Sequence, residues 1–213
     1  MKITIIYDNE VFKKGLRADW GFSCLVEAEN APRILFDAGT NGSMLLSNME
    51  KLNIMPGSID EVFISHNHFD HIGGLSAFIN VNNDVKVYVP SSLRGVRGVK
   101  EVISVSEHLK MHKNIFSTGE LNGVEQSLAI KTQKGITVIA GCSHPGVGCI
   151  LESASQFGKV CALIGGLHGF KEFNLLEGLD LICPTHCTQY KSKIKSLYPS
   201  KYVDGGAGKV IEI

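Results

Sequence analysis

The stretch His66-Asn67-His68-Phe69-Asp70-His71 decides how the rest of this chain is read. It places four metal-competent side chains within one short segment, and three of the chain's eight histidines fall inside it. The apolar run Val62-Phe63-Ile64 leads in and Gly73-Gly74 leads out, so the pattern predicts a strand that ends in a tight turn. On an extended backbone, residues two apart face the same side. His66 and His68 are therefore placed to hold one ion together. Asp70 and His71 lie where the backbone turns and can face a second position nearby. Imidazole suits zinc and iron, and a carboxylate adds a hard oxygen donor that suits manganese. A polar loop that happens to hold surface histidines is a poor account of such density.

Three more histidines repeat the arrangement. His144 lies in Gly141-Cys142-Ser143-His144-Pro145-Gly146, past the expected strand Ile136–Ala140. His168 lies in Gly165-Gly166-Leu167-His168-Gly169, past Val160–Ile164. His186 lies in Cys183-Pro184-Thr185-His186-Cys187-Thr188, past Leu179–Cys183. In layered α/β folds, ligands gather at such strand ends. His144 and His186 are read as metal ligands, and His168 as either a ligand or a catalytic group. His108 and His112 are four apart in a helix-like context without the glutamate of a zincin motif, and are read as surface residues.

Composition limits the function classes. Lys plus Arg and Asp plus Glu both number 21, so charge gives no argument for a nucleic acid or an anionic membrane as partner. The N-terminal apolar run is too short for a secretory signal, and no apolar stretch reaches the roughly 18 residues that cross a bilayer. These features predict a cytoplasmic protein and a single domain over residues 1–213; the basic stretch Arg94–Lys100 reads either as a contact for a small anionic substrate or as a solvated loop. The six cysteines read mostly as buried small hydrophobes. Cys183 and Cys187 have metal-ligand spacing, but no second pair completes a four-cysteine site. Cys142 and Ser143 beside His144 are discounted as nucleophiles, because the Gly-x-Ser-x-Gly elbow is absent.

Expected strands are Lys2–Tyr7, Phe22–Glu27, Arg33–Phe36, Glu61–Ser65, Val85–Val89, Leu128–Lys131, Ile136–Ala140, Val160–Ile164, Leu179–Cys183 and Lys209–Ile213. Expected helices are Gly42–Leu52, capped by Asn41, then Gly73–Ile79, Val147–Phe157 and Gln189–Tyr198. Strands in runs followed by alternating strands and helices suggest a layered α/β protein. Residues 91–124 show no clear periodicity and read as a flexible or inserted segment near the site.

Taken in order, Asp37 in Leu35-Phe36-Asp37-Ala38-Gly39, the His-x-His-x-Asp-His motif, His144 and His186 resemble the metallo-β-lactamase superfamily. The pieces Tyr7-Asp8-Asn9, Gly21-Phe22-Ser23 and those around His144, His168 and His186 resemble its branch of metal-dependent hydrolases. Some archaeal members of that branch are named dihydropterin-ribofuranosylaminobenzene-phosphate synthases. The resemblance implies a four-layer αββα sandwich with metals at one edge. It implies a first metal on His66, His68 and His144, a second on Asp70, His71 and His186, and Asp37 beneath them. The cofactor so implied is zinc, two ions, with manganese or iron as alternatives. One departure stands out. The family usually supplies a bridging aspartate before the last histidine, and here that strand ends in Gly165-Gly166-Leu167-His168.

Neutral imidazole ligands and a divalent ion would bring the pKa of water from 15.7 to about 7. The expected activity is hydrolysis of a small polar ester, phosphate ester or phosphodiester, with Asp70 and His168 as the catalytic side chains. The rival readings are pterin synthesis, an iron-dependent redox reaction on the same fold, and a non-catalytic metal-binding protein.

Overall fold

The computed structural model describes residues 1–213. In chain order its strands are β1 (Lys2–Tyr7), β2 (Ser23–Glu27), β3 (Ile34–Phe36), β4 (Glu61–Phe63), β5 (Lys86–Pro90), β6 (Glu101–Val105), β7 (Leu109–His112), β8 (Ile115–Ser117), β9 (Leu128–Lys131), β10 (Ile136–Ala140), β11 (Val160–Gly166), β12 (Leu181–Thr185) and β13 (Val210–Glu212). Its α-helices are α1 (Gly42–Lys51), α2 (Phe69–Ile72), α3 (Leu75–Val81), α4 (Val147–Ser155) and α5 (Lys191–Leu197).

Two sheets form. The first has strand order β13-β1-β2-β3-β4-β5-β6, and the second β12-β11-β10-β9-β8-β7. In the first sheet β3 through β6 run parallel. In the second, β10, β11 and β12 run parallel, while the β9–β10 hairpin is antiparallel.

The strands alternate between two cores, as a pleat requires. Phe36, Phe63, Ile164 and Cys183 face a core shared by both sheets. Their neighbours Leu35 and Val62 pack instead with Leu45 and Met49 of α1 and Phe78 of α3. Leu163 and Ile182 pack with Ile150 of α4 and Ile194 of α5. The result is a four-layer αββα sandwich, as the resemblance implied. Each fully buried aliphatic side chain in these layers contributes roughly 1.5–3 kcal/mol. Helix α1 starts where expected, the Asn41 side chain accepting the Met44 amide at 3.1 Å.

Three expectations need correction. Residues 91–124 are not an insertion: they contain β6, β7 and β8, which are built into both sheets. The pattern of β6 and β7 was hidden because both lie at sheet edges, β6 mostly exposed and β7 half-buried without alternation. The helix expected over Gly73–Ile79 is α3, which starts two residues later and extends to Val81, and a short helix not expected, α2, precedes it within the histidine motif itself. His108 and His112 are not helical. His112 lies in β7 and pairs with Glu61 at 2.8 Å, and His108 Nε2 lies 2.8 Å from Ser153 Oγ.

One glycine is required by the strand packing. Gly165 in β11 has φ of 128°, and any Cβ there would overlap the carbonyl of Ala140 in β10. The adjacent parallel strands can then carry their loops close together.

Candidate metal centre

Four of the loops that feed the site leave their strands abruptly. Asp37 follows β3 with φ 54°, Ser143 follows β10 with φ 63°, His168 follows β11 with φ 45° and His186 follows β12 with φ 47°. Such left-handed backbone is uncommon outside glycine and gathers at functional sites. Here it turns the chain sharply, so side chains from both sheets point into one space. Gly141 allows the closest approach: a Cβ there would lie 3.0 Å from His66 Nδ1 and overlap the Ser65 hydroxyl.

The first group of ring nitrogens joins the two sheets. His68 Nδ1 lies 3.1 Å from His66 Nε2 and 3.1 Å from His144 Nε2. One ring nitrogen carries at most one proton and cannot form good hydrogen bonds in both directions at once. Ser65 Oγ donates to Asp37 Oδ2 at 2.7 Å, so it accepts from His66 Nδ1 at 2.9 Å. That leaves His66 Nε2 as a bare lone pair aimed at the group. Both separations from His68 Nδ1 are close to the edge of a tetrahedral zinc shell, about 3.3 Å for nitrogen ligands.

The second group is more buried. His71 Nδ1 donates to Asp37 Oδ2 at 2.7 Å, so its Nε2 is free to ligate. His71 Nε2 lies 3.8 Å from Asp70 Oδ2, and His186 Nε2 lies 3.2 Å from the same oxygen. His186 Nδ1 is fixed by Asn9 Oδ1 at 2.9 Å. Its buried Nε2 has no hydrogen-bond partner. Orphaned buried polar atoms call for an explanation, and a cation is the one that this donor set fits.

Burial pushes the imidazoles of His66 and His71 well below their usual range, and neighbouring rings add to the effect. His144 is pushed down to about 4 by burial and by His168 and His68. Burial and His186 also lower His168. Histidine ligates only as the neutral ring, so His66, His71 and His144 need no deprotonation at neutral pH. For Asp70, burial acts to raise the carboxyl, but the imidazoles of His186 and His71 outweigh it and hold it well below the usual carboxylate range.

All six side chains read from the sequence as ligands therefore meet in one cluster. His168 sits at its side, its ring centroid 4.6 Å from that of His144, with Nε2 buried and unpartnered. Asp37 is fully buried beneath His71.

Three contributors escaped the sequence reading. Glu125, fully buried, accepts the amides of Gly141, Cys142 and Ser143 on Oε1 and that of His144 on Oε2, at 2.9–3.1 Å. Burial raises its carboxyl to about 7 against those bonds. Trp20, the sole tryptophan and largely exposed, donates its indole N–H to Asp70 Oδ2 at 2.9 Å. With exposed Phe69 it gives the centre an apolar rim. Cys142 Sγ lies 3.2 Å from His71 Nε2. The only available signals were the position of Trp20 just before β2 and of Cys142 two residues before His144.

A family model for the metallo-beta-lactamase superfamily matches residues 21–124, a span that holds both Asp37 and the His66–His71 motif. The chain has the metallo-β-lactamase fold. The metallo-β-lactamase fold is matched over the whole length by the crystal structure of Tm1679, a metal-dependent hydrolase of the β-lactamase superfamily. The TM-score is 0.80 at 24% identity, covering 100% of this chain and 99% of that one. The 7,8-dihydropterin-6-methyl-4-(β-D-ribofuranosyl)-aminobenzene-5'-phosphate synthase of Methanocaldococcus jannaschii is 28% identical, with 89% of this chain and 88% of that protein covered. An uncharacterised protein of the same organism is 29% identical over 99% of this chain and 100% of its own length. A metal-binding superfamily fits the donor set found here.

Proposed function

We propose that this metallo-β-lactamase-fold protein is a metal-dependent hydrolase of small anionic esters, phosphate esters or phosphodiesters. His66, His68 and His144 would hold one ion, and Asp70, His71 and His186 a second. The observation that carries the reading is the pair of ligand sets, each with bare ring nitrogens aimed inward. Ions bound there would supply Lewis acidity and lower the pKa of a bound water to about 7.

The protein's own groups do the rest. Asp70, anchored by Trp20, orients the attacking water. His168 stands beside His144 with its Nε2 free, placed to hand a proton to the leaving oxygen or to grip an anionic substrate. Asp37 and Asn9 hold His71 and His186 in the ligating tautomer. Trp20 and Phe69 supply apolar surface against the non-reacting part of the substrate. No helix is long and apolar enough to cross a membrane, in keeping with a small-molecule enzyme of the cytoplasm.

The test combines metal analysis of protein purified without added metal with a phosphatase, phosphodiesterase, thioesterase and lactonase screen. Zinc or manganese with turnover that is lost in a His66→Ala, His68→Ala double variant supports the reading. Bound iron with oxygen uptake and no hydrolysis would sink it. A second reading, synthesis in pterin metabolism, is favoured by near-full-length similarity to a relative named for that activity. Formation by the purified protein of the compound named for that relative would establish it instead.

A further inference from the structure

We propose that Cys142 is a further protein ligand of this metal centre, its Sγ standing between the two ligand sets where the sequence lacks a bridging carboxylate. The inference rests on the metal-dependent reading above and adds a donor of different chemistry to it.

Cys142 Sγ lies with the ligand atoms of Asp70, His71 and His186, all within 4.8 Å of one another. The same sulfur also groups with His66 and His144. It is thus the atom shared by both sets. Its 3.2 Å separation from His71 Nε2 compares with about 3.5 Å between nitrogen and sulfur on a tetrahedral zinc. The buried, unpartnered His186 Nε2 is an independent sign that something is missing from this same space.

The surroundings suit a ligand and not a space-filling thiol. A buried hydrophobe would be expected to meet carbon, whereas this sulfur lies 3.2 Å from an imidazole nitrogen and within 4.8 Å of a carboxylate oxygen. Its backbone is fixed, because Glu125 accepts the Cys142 amide at 3.1 Å. The Cys187 thiol lies 3.3 Å away and donates to Cys142 Sγ, an outer hydrogen bond of the kind that supports ligating atoms. A nucleophilic role fits poorly, since Cys142 is only 2% exposed. The loop after β11, by contrast, brings no carboxylate, and Leu167 is buried in the outer core. A thiolate favours zinc or iron over magnesium, calcium or manganese. The centre should therefore prefer softer metals than an all-histidine and carboxylate set would.

The full chain, stripped of metal, is titrated with cobalt(II) alone and followed by absorption. The wild-type protein should show a near-ultraviolet thiolate-to-cobalt charge-transfer band together with the visible bands of bound cobalt. Cys142→Ser should lose the charge-transfer band and keep visible bands, and Cys187→Ser should keep both. Persistence of the band in Cys142→Ser, or visible cobalt bands without it in the wild type, overturns the proposal while leaving the metal centre intact. Absence of any cobalt band in the wild type overturns both readings. X-ray absorption on the zinc-loaded wild type needs no variant: a sulfur scatterer at about 2.3 Å is expected, and a shell of nitrogen and oxygen only refutes it.

Discussion

Asp37 makes no contact with the outer ring nitrogens, yet it sets which nitrogen of His71 is free. Its Oδ2 takes the His71 Nδ1 proton and the Ser65 hydroxyl, and its Oδ1 takes the Ser65 amide. Asp37→Asn keeps the shape and tolerates the left-handed backbone, but it presents a donor or a weaker acceptor to His71. On the proposed two-metal reading, metal analysis with a competing chelator should show one equivalent weakened about 10–100-fold. Glu125 acts on the opposite sheet. Glu125→Ala leaves four amides of the His144 loop without their acceptor, and each unsatisfied donor costs about 1–3 kcal/mol. Urea unfolding should show a loss of at least about 3 kcal/mol, with Glu125→Gln milder. An unchanged midpoint in Glu125→Ala would show that water replaces the carboxylate completely. Asp37 was legible because it sits in a strand-end motif ahead of the histidines. Glu125 was not, because its acceptor role depends on amides 16–19 residues further along. Spacing along a chain carries no signal for that kind of contact.

Elements with one face on a core were readable, as were the edge strands β12 and β13, but the edge strands β6 and β7 were not. β1, β10 and α1 bury most of a face and announce themselves by hydrophobic pattern. β6 and β7 present mixed, exposed or half-buried side chains, so residues 91–124 looked unstructured. Helix α2 was hidden because the histidine motif serves as helix and ligand at once. Two substitutions test the elements apart from the chemistry. Asn41→Ala removes the cap of α1 and should cost about 1 kcal/mol in thermal or urea unfolding, with metal content unchanged. Gly165→Ala should instead force β10 and β11 apart, because its Cβ meets backbone that cannot yield. Loss of soluble protein, or a large stability deficit, is expected. Near-normal stability would mean that the strands shift more easily than their pairing suggests.

At the scale of the whole molecule, the sandwich and the metal centre cannot be separated. The αββα layering was legible from the ordered motifs, but the meeting of the two ligand groups was only implied until both sheets were seen to contribute to each. His66 and His68 come from the loop of the first sheet, and His144 and His186 from the second. That geometry has a kinetic consequence. A folding nucleus can assemble either sheet from nearby strands, but the ligand groups coincide only after the two sheets have docked. Ions should then bind late, after the transition state is passed. Stopped-flow measurements with and without chelator should show a refolding limb that hardly moves and an unfolding limb slowed by metal. If metal accelerated refolding instead, docking would precede much of the strand pairing. Lifetime of the folded state, more than speed of reaching it, is what the loops after β4, β10 and β12 would govern.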